Sequence, residues 1–279
     1  MRKVLGTITV IALISPAAAE AQKDPNFVTS VKDKEASTKG EVEWKASAQA
    51  GLVVTTGNTD QTVISAGAKG SRKQGFNKLQ LEGAVQYSRT NGVETARAWE
   101  TKARYDRFLT ANNSLYITAL LSGDKLAGKD VVAGGQAGYS RQLVKDEKHE
   151  VVGEVGYDFS YENFTNPPGG SVSIHSARLF SGYVGKLTTD TGFSTSVEVL
   201  MNVNALDIND GAGGTVEASA FEDLRATFKA DLTTRLLGDL LSFNFGFVAK
   251  YDNFPAFVGG NRAEELDTTT KATLIFNFL

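Results

Sequence analysis

The chain has 279 residues with 28 Gly, 16 Phe, 8 Tyr, 5 Pro and no Cys, and its formal net charge is −3. The absence of Cys excludes a disulfide scaffold, a Cys-ligated zinc or iron–sulfur site and a lipid-modified cysteine. A mildly negative charge argues against a basic nucleic-acid-binding protein. The sequence contains no phosphate loop, nucleophile elbow or zinc motif, so we expect no metal and no cofactor.

The start of the chain has the features of a secretory signal peptide. Two basic residues precede an uncharged stretch from Val4 to Ala19, and small residues at Ala19 and Ala21 allow cleavage after either one. A membrane-spanning helix would need about 20 continuous apolar residues. We therefore predict a signal peptide over residues 1–21, with Sec-type export and cleavage near Ala21.

The segment after the leader differs in composition from the rest of the chain. Residues 22–41 are polar, mixed in charge and without apolar periodicity. They are predicted to be a flexible periplasmic lead-in, with a short helix or an interaction tail as alternatives. The domain then extends over residues 42–279.

From residue 42 onward, apolar and polar residues alternate with a period of two. In one segment, Leu79, Leu81 and Val85 alternate with Gln80 and Glu82. This pattern predicts β-strands with one apolar and one polar face. Twelve such segments are predicted, at 42–56, 61–71, 78–90, 95–108, 114–123, 130–143, 149–163, 173–187, 192–205, 217–235, 240–253 and 266–279.

The connections between these segments differ in length in a regular way. The longest, LDINDGAGGTVE and FPAFVGGNRAEE, follow odd-numbered strands, whereas connections after even-numbered strands are as short as TTDTG and LLGD. Long connections at one end and short turns at the other are typical of outer-membrane barrels. Both termini then lie at the short-turn, periplasmic end.

The polar faces of the predicted strands carry ionisable residues in mid-strand, which a barrel would turn into its lumen. On a soluble periplasmic β protein, the alternative, the same residues would form a solvated surface. The predicted lumen-lining residues are Glu82, Glu100, Lys102, Arg104, Glu154, Asp158, Glu198, Arg225, Lys229, Asp231, Lys250 and Lys271.

Aromatic residues cluster near the ends of the apolar faces. Trp44 and Phe278 lie toward one predicted rim, and Trp99, Phe159 and Tyr161 toward the other. Aromatic belts at both interfaces are expected of membrane barrels. The sequence therefore predicts an all-β fold: a single-chain transmembrane antiparallel up-and-down β-barrel of about 12 strands, in the bacterial outer membrane.

The last strand suggests how such a barrel would be assembled. The chain ends TLIFNFL, with Leu274, Phe276 and Phe278 on one face. We expect Phe276 and Phe278 to be recognised by the barrel-assembly machinery. Outer-membrane lipid is the other expected partner, nucleic acid is not, and the lipid-compatible outer faces favour a monomer.

Several short motifs occur in a recognisable order along the chain. They are the Gly57-Asn58-Thr59 turn, Arg104 to Phe108, Gly123 to Gly128, and Gly138-Tyr139 leading into Gln142-Leu143. With these motifs the sequence resembles the DUF481 family, typified by YdiY-like salt-induced outer-membrane proteins. The resemblance implies an outer-membrane barrel and induction by salt or envelope stress, and it carries over no catalytic residue.

Independently of the resemblance, Gly57, Asn58 and Thr59 have a structural interpretation. Glycine and asparagine tolerate the positive φ that a two-residue hairpin turn requires. We predict a structural role for this turn.

Two classes of function remain open at this point. The first is passive: a narrow channel, a structural or stress-related envelope barrel, or a barrel whose external loops bind a ligand. The second is a phospholipase-like, lipid-processing enzyme with Ser173 as nucleophile, His175 as general base and Asn163 nearby on the same outward register. An enzyme is the less favoured of the two.

Overall fold

The computed structural model describes residues 42–55, 60–124, 129–164, 170–209, 215–255, 257–258, 261–262 and 264–277. The predicted signal peptide and lead-in lie outside these residues. The described strands are β1 Val42–Thr55, β2 Gln61–Gln74, β3 Asn77–Thr90, β4 Val93–Thr110, β5 Asn113–Asp124, β6 Lys129–Lys145, β7 His149–Phe164, β8 Gly170–Lys186, β9 Thr191–Asn202, β10 Leu206–Asn209, β11 Thr215–Ala218, β12 Leu224–Leu237, β13 Leu241–Asp252, β14 Phe257–Val258, β15 Asn261–Arg262 and β16 Leu266–Asn277.

Twelve of these strands form one closed antiparallel barrel, in the order β1-β16-β13-β12-β9-β8-β7-β6-β5-β4-β3-β2. Neighbours in the wall are neighbours in sequence, apart from the two small hairpins β10–β11 and β14–β15. The barrel closes where β1 pairs with β16, from Ser47 opposite Asn277 to Ala50 opposite Leu274. The predicted all-β, up-and-down barrel of about 12 strands is thus confirmed.

Alternation places the apolar side chains on the outside of this barrel. Leu81, Val85 and Ile117 point outward and are 56%, 55% and 59% exposed, while the alternate residues Gln80 and Thr118 are buried inside. A closed barrel pairs its backbone groups within the wall, and only an apolar environment favours such an exterior. The fold is therefore a transmembrane β-barrel. Among the described residues there is no helix with the length and apolarity needed to span a membrane.

The connections divide the barrel into a short-turn rim and a long-loop rim. At the short-turn rim, residues 75–76, 111–112, 146–148, 187–190 and 238–240 join successive strands. At the long-loop rim, residues 203–223 and 253–265 are the longest connections and contain the two small hairpins. This agrees with the predicted asymmetry.

Local chemistry explains why several turns are tight. Asn91 and Gly92 both have positive φ, 49° and 82°, as a two-residue hairpin turn requires. At the short-turn rim, Asp146 Oδ1 accepts the amides of Lys148 and His149 at 2.8 and 2.7 Å. These two hydrogen bonds hold the pKa of the Asp146 carboxyl below its ordinary value.

The tenth barrel strand differs from the prediction. It was expected over 217–235, but β12 begins at Leu224, because Thr215–Ala218 pair instead with Leu206–Asn209 in a separate hairpin. The sequence analysis assigns most of this hairpin to the connection LDINDGAGGTVE, so only Glu217 and Ala218 fall within the predicted barrel strand.

Asn202 directs the chain into the hairpin. Its Oδ1 accepts the amide of Asp223 at 2.9 Å, and its Nδ2 donates to the carbonyls of Asn204 and Ser219 at 2.7 and 2.8 Å. The strand ladder between β9 and β12 therefore stops at this level.

The β10–β11 hairpin packs over part of the barrel mouth. Leu206 and Ala218 form a buried apolar cluster with Ile174, whose side chain lies on the inward face of β8. Val172 and Phe254 pack against the cluster. The long-loop rim is therefore covered on the side of β8.

We predict that charge is tolerated differently on the two faces of β3. Leu81→Arg places a cation in the membrane near the middle of the strand and should reduce stability by about 2–4 kcal/mol. Gln86→Arg, on the exposed inward face of the same strand, should cost much less. Urea unfolding in lipid vesicles measures both variants, and equal costs would contradict the assignment of faces.

Candidate functional site

Two arginines share one glutamate inside the barrel. Arg104 Nη2 lies 2.7 Å from Glu154 Oε1, and Arg178 Nη1 lies 2.8 Å from Glu154 Oε2. Arg104 also contacts Asp106 Oδ1 at 2.8 Å, and Arg178 Nε contacts Glu198 Oε1 at 2.6 Å. We call these five residues the arginine–glutamate cluster.

Tyr116 forms the floor of this cluster. Its hydroxyl accepts a hydrogen bond of 2.7 Å from Arg178, and the Arg104 guanidinium lies 4.3 Å from its ring centroid. A Cβ at Gly138 or Gly156 would lie 2.7 or 2.6 Å from the Tyr116 hydroxyl oxygen. The two glycines therefore provide the space in which the phenol lies against the wall.

Further polar contacts extend from the cluster toward the long-loop rim. Gln136 Nε2 donates to Asp158 Oδ1 at 2.9 Å. Arg225 Nη2 donates to Ser176 Oγ at 3.0 Å, and Arg225 Nε lies 3.4 Å from Asp223 Oδ2. Charged and polar groups thus contact one another in this part of the lumen.

One ion pair of the cluster, Arg104–Glu154, crosses part of the lumen, whereas the others join residues on the same strand or on neighbouring strands. Arg104 is on β4 and Glu154 is on β7, with β5 and β6 between them in the barrel. Arg104 is 1% exposed and Glu154 is 2% exposed. Buried charges persist only when such geometry repays their desolvation. The sector enclosed by β4 to β9 is therefore filled with side chains.

The inner wall formed by β1, β2 and β3 has a different character. Its inward positions include Ser65, Gly67 and Ala84, which are small and half-buried, and Gln49 and Gln86, which are exposed. We call these five residues the accessible wall. These side chains leave solvent access at their level of the barrel, whereas Lys73, Lys78 and Gln80 on the same strands are buried nearer the short-turn rim.

Two contacts describe the accessible wall more closely. The Gln49 side chain lies over Gly67, where a Cβ would come within 3.2 Å of Gln49 Cγ. Lys69 Nζ and Glu82 Oε1 form a 2.5 Å ion pair, with side chains 38% and 15% exposed. The pair lies along the accessible wall and is more hydrated than the arginine–glutamate cluster.

The strand registers show where the predicted lumen residues lie. The side chain of Lys271 is outside the described residues. The inward register contains Glu82, Glu100, Lys102, Arg104, Glu154, Asp158, Glu198, Arg225, Lys229, Asp231 and Lys250.

Sequence reasoning missed several inward residues, among them Asp106, Tyr116, Glu162 and Arg178. Alternation could have identified all four. Asp106 and Glu162 lie an even number of positions from Arg104 and Asp158 on the same strands, and Tyr116 and Arg178 lie on the inward register of strands that pair with these. What alternation does not reveal is that Arg178 and Arg104 converge on one glutamate.

The candidate catalytic residues lie on the outer face of the barrel. Ser173 and His175 are two positions apart on β8, and Asn163 is on β7 opposite Ser171. Asn204 contacts the backbone of both candidates, because its Oδ1 accepts the His175 amide at 2.9 Å and its Nδ2 donates to the Ser173 carbonyl at 3.2 Å.

The His175 ring is held by aromatic neighbours. Its Nδ1 pairs with the Tyr157 hydroxyl, and its ring centroid lies 5.1 Å from that of Phe159. These contacts are those of an amphipathic side chain at a membrane interface. The catalytic assignment stays a prediction.

The remaining predicted sites are only partly described. The Gly57-Asn58-Thr59 turn and Phe278 lie outside the described residues, whereas Phe276 is an exposed outward residue on β16. In the part of the chain that the structure describes, no group of three or more His, Cys, Asp or Glu side chains is arranged to hold a metal ion.

The sequence matches the model of a known protein family. The profile of the family described as "Protein of unknown function, DUF481" matches residues 48–278, which include most of the barrel. None of the curated proteins matches the chain.

Three solved structures with a similar arrangement of strands are remote from this chain in sequence. A NanC porin aligns with a TM-score of 0.48 and 9% identity, covering 84% of this chain and 100% of the porin. The translocator domain of the autotransporter NalP from Neisseria meningitidis gives 0.42 and 9%, covering 85% and 88%. The Ralstonia pickettii toluene transporter TbuX gives 0.40 and 10%, covering 84% and 88%. At these values the similarities say nothing about activity.

We predict that Glu154 is far more important for stability than Glu82. Glu154→Ala leaves two buried arginines short of a counter-charge and should cost about 3–5 kcal/mol. Glu82→Ala breaks a hydrated pair and should cost less than about 1 kcal/mol. Urea unfolding in vesicles measures the difference, and similar costs would show that the cluster is not a desolvated unit.

A second prediction concerns the two glycines under Tyr116. Gly138→Ala would place a Cβ 2.3 Å from the Val155 carbonyl oxygen as well as against the Tyr116 hydroxyl. We expect the variant to unfold at lower urea concentration than Gly135→Ala, whose Cβ would meet its first neighbour at 3.4 Å. Equal midpoints for the two variants would contradict the packing described.

The outer-face serine and histidine give a third prediction. Because no hydrogen bond joins the Ser173 hydroxyl to the His175 ring among the described residues, we expect no fatty-acid release from phospholipid vesicles by the wild-type barrel. The matched variants are Ser173→Ala and Ser171→Ala, both outward on β8. Release that Ser173→Ala abolishes and Ser171→Ala preserves would establish an enzyme instead.

Proposed function

The chain belongs to the DUF481 family, and we propose that it is an outer-membrane β-barrel that conducts small hydrophilic solutes through a narrow channel along the accessible wall. The proposal has two parts, the location of the barrel and the path through it.

Four features support the outer-membrane location. The barrel is closed, has an even number of strands and carries an apolar exterior. Its long connections lie at one rim and its short turns at the other. Bacterial outer-membrane barrels combine these properties, and a predicted signal peptide provides a means of export.

The main observation in favour of a channel is that side chains fill one sector of the lumen and leave another sector accessible. The arginine–glutamate cluster occupies the sector enclosed by β4 to β9, and the β10–β11 hairpin covers the mouth on that side. On the accessible wall, Gln49 and Gln86 point inward and remain exposed. A solute path is therefore displaced from the barrel axis toward β1, β2 and β3.

The side chains that fill one sector of the lumen also limit the width of the solute path. Barrels of eight strands are filled by side chains, and those of sixteen or more leave an aqueous channel. Twelve strands with one sector filled leave room for inorganic ions and small polar molecules. The balanced Lys69–Glu82 pair makes strong selectivity for either charge sign unexpected.

We expect the purified barrel to give discrete, salt-dependent openings in planar lipid bilayers. Ala84→Trp fills the accessible wall from β3 and should reduce the single-channel conductance by at least half. Val85→Trp, the next residue on the same strand, points into lipid and should leave the conductance unchanged.

The two variants separate a channel from an artefact of insertion. Conductance that Val85→Trp reduces as much as Ala84→Trp would place the path elsewhere. Wild-type protein that inserts, as heat-modifiable migration on a denaturing gel shows, yet never conducts would overturn the channel in favour of a filled structural barrel.

A further inference from the structure

A groove of about 430 Å³ crosses the outer surface of strands β6 to β9. It exists because two outward residues there are small: Gly153 on β7 and Ser181 on β8. Larger apolar side chains border them, namely Leu143, Val155, Leu179, Val197 and Val199. Because this surface faces the membrane interior, the groove has the chemistry of an acyl-chain site.

One end of the groove is cationic. Arg141 and Tyr139 line it from the outward face of β6, four and six residues before the strand ends at Lys145 on the short-turn rim. Arg141 is exposed, and among the described residues its guanidinium makes no hydrogen bond or ion pair. The Tyr139 hydroxyl donates to Asn113 Oδ1 at 2.5 Å, which fixes the ring beside it.

Arg141 differs in this respect from the other outward arginines near the same rim. Arg107 Nη1 donates to Asn77 Oδ1 at 2.8 Å, and Arg72 Nη2 donates to Gln74 Oε1 at 2.6 Å. Both of these guanidinium groups have protein partners, whereas Arg141 presents its donors to the membrane interface.

We propose that this groove is a specific site for one phospholipid of the leaflet at the short-turn rim. The phosphate is bound by Arg141 beside Tyr139, and an acyl chain lies along Gly153 and Ser181. An arginine fork matches the oxygens of a phosphate group. A single lipid molecule supplies both the anion and the apolar chain that the two halves of the site require.

A second copy of the chain fits the same surface less well. On the short-turn half of the barrel, the outward residues of the described strands include no Asp or Glu, and they do include three arginines. Another barrel packed through this face would bury Arg141 without an opposing carboxylate from those strands, at a substantial desolvation cost.

The test is native mass spectrometry of the detergent-solubilised full barrel with added dioleoylphosphatidylglycerol. We expect one lipid to be retained by the wild type. Arg141→Gln should weaken retention about fivefold, the loss expected for one arginine at a membrane surface. Ser181→Leu, which fills the groove, should weaken retention to a similar extent.

Arg107→Gln is the matched control, because it removes an outward arginine of the same rim that lies outside the groove. Unchanged retention in Arg107→Gln beside losses in the other two variants supports the site. Equal losses in Arg107→Gln and Arg141→Gln, or no loss in Arg141→Gln, would overturn it. A dimer in the wild type that Ser181→Leu abolishes would also overturn it, by identifying the occupant as a second copy.

Discussion

The sharing of Glu154 by Arg104 and Arg178 is the interaction on which the interior of this barrel depends. Arg178 on β8 joins Glu154 on the neighbouring strand β7, whereas Arg104 on β4 reaches the same glutamate across β5 and β6. The Arg104–Glu154 contact joins two separated strands of the wall, and the cluster excludes water from the space between them. The position of the cluster therefore determines which part of the lumen is filled.

The requirements of the cluster explain several residues that otherwise have no evident role. Tyr116 can lie beneath the arginines only because Gly138 and Gly156 leave its phenol room against the wall. Glycine weakens a strand by itself, so its presence here reflects packing. A small residue also shapes the outer groove. Gly153 lies beside Leu143, and a Cβ on Gly153 would come within 3.2 Å of Leu143 Cδ1.

Much of this fold could be predicted from alternation, and the reason is physical. A membrane barrel separates apolar from polar residues at every second position, so the register of β3 or β7 is evident from its residues alone. The β10–β11 hairpin was predicted only as a long connection, because its four-residue strands flank a Gly-rich sequence, and the contacts of Asn202 show where the chain leaves the wall. Arg104 and Glu154 were identified as inward residues, but their pairing depends on barrel curvature, which no local pattern contains.

The central claim is that side chains fill one sector of the lumen and leave the opposite wall accessible to solvent. Because the chain contains no Cys, single cysteines test this directly with a charged, membrane-impermeant thiol reagent. The account predicts rapid labelling of Gln49→Cys and Gln86→Cys on the accessible wall, and little labelling of Ser160→Cys and Ser176→Cys, which replace fully buried inward serines. Comparable labelling of all four positions in folded, membrane-inserted protein, or faster labelling of the two serine positions, would contradict it.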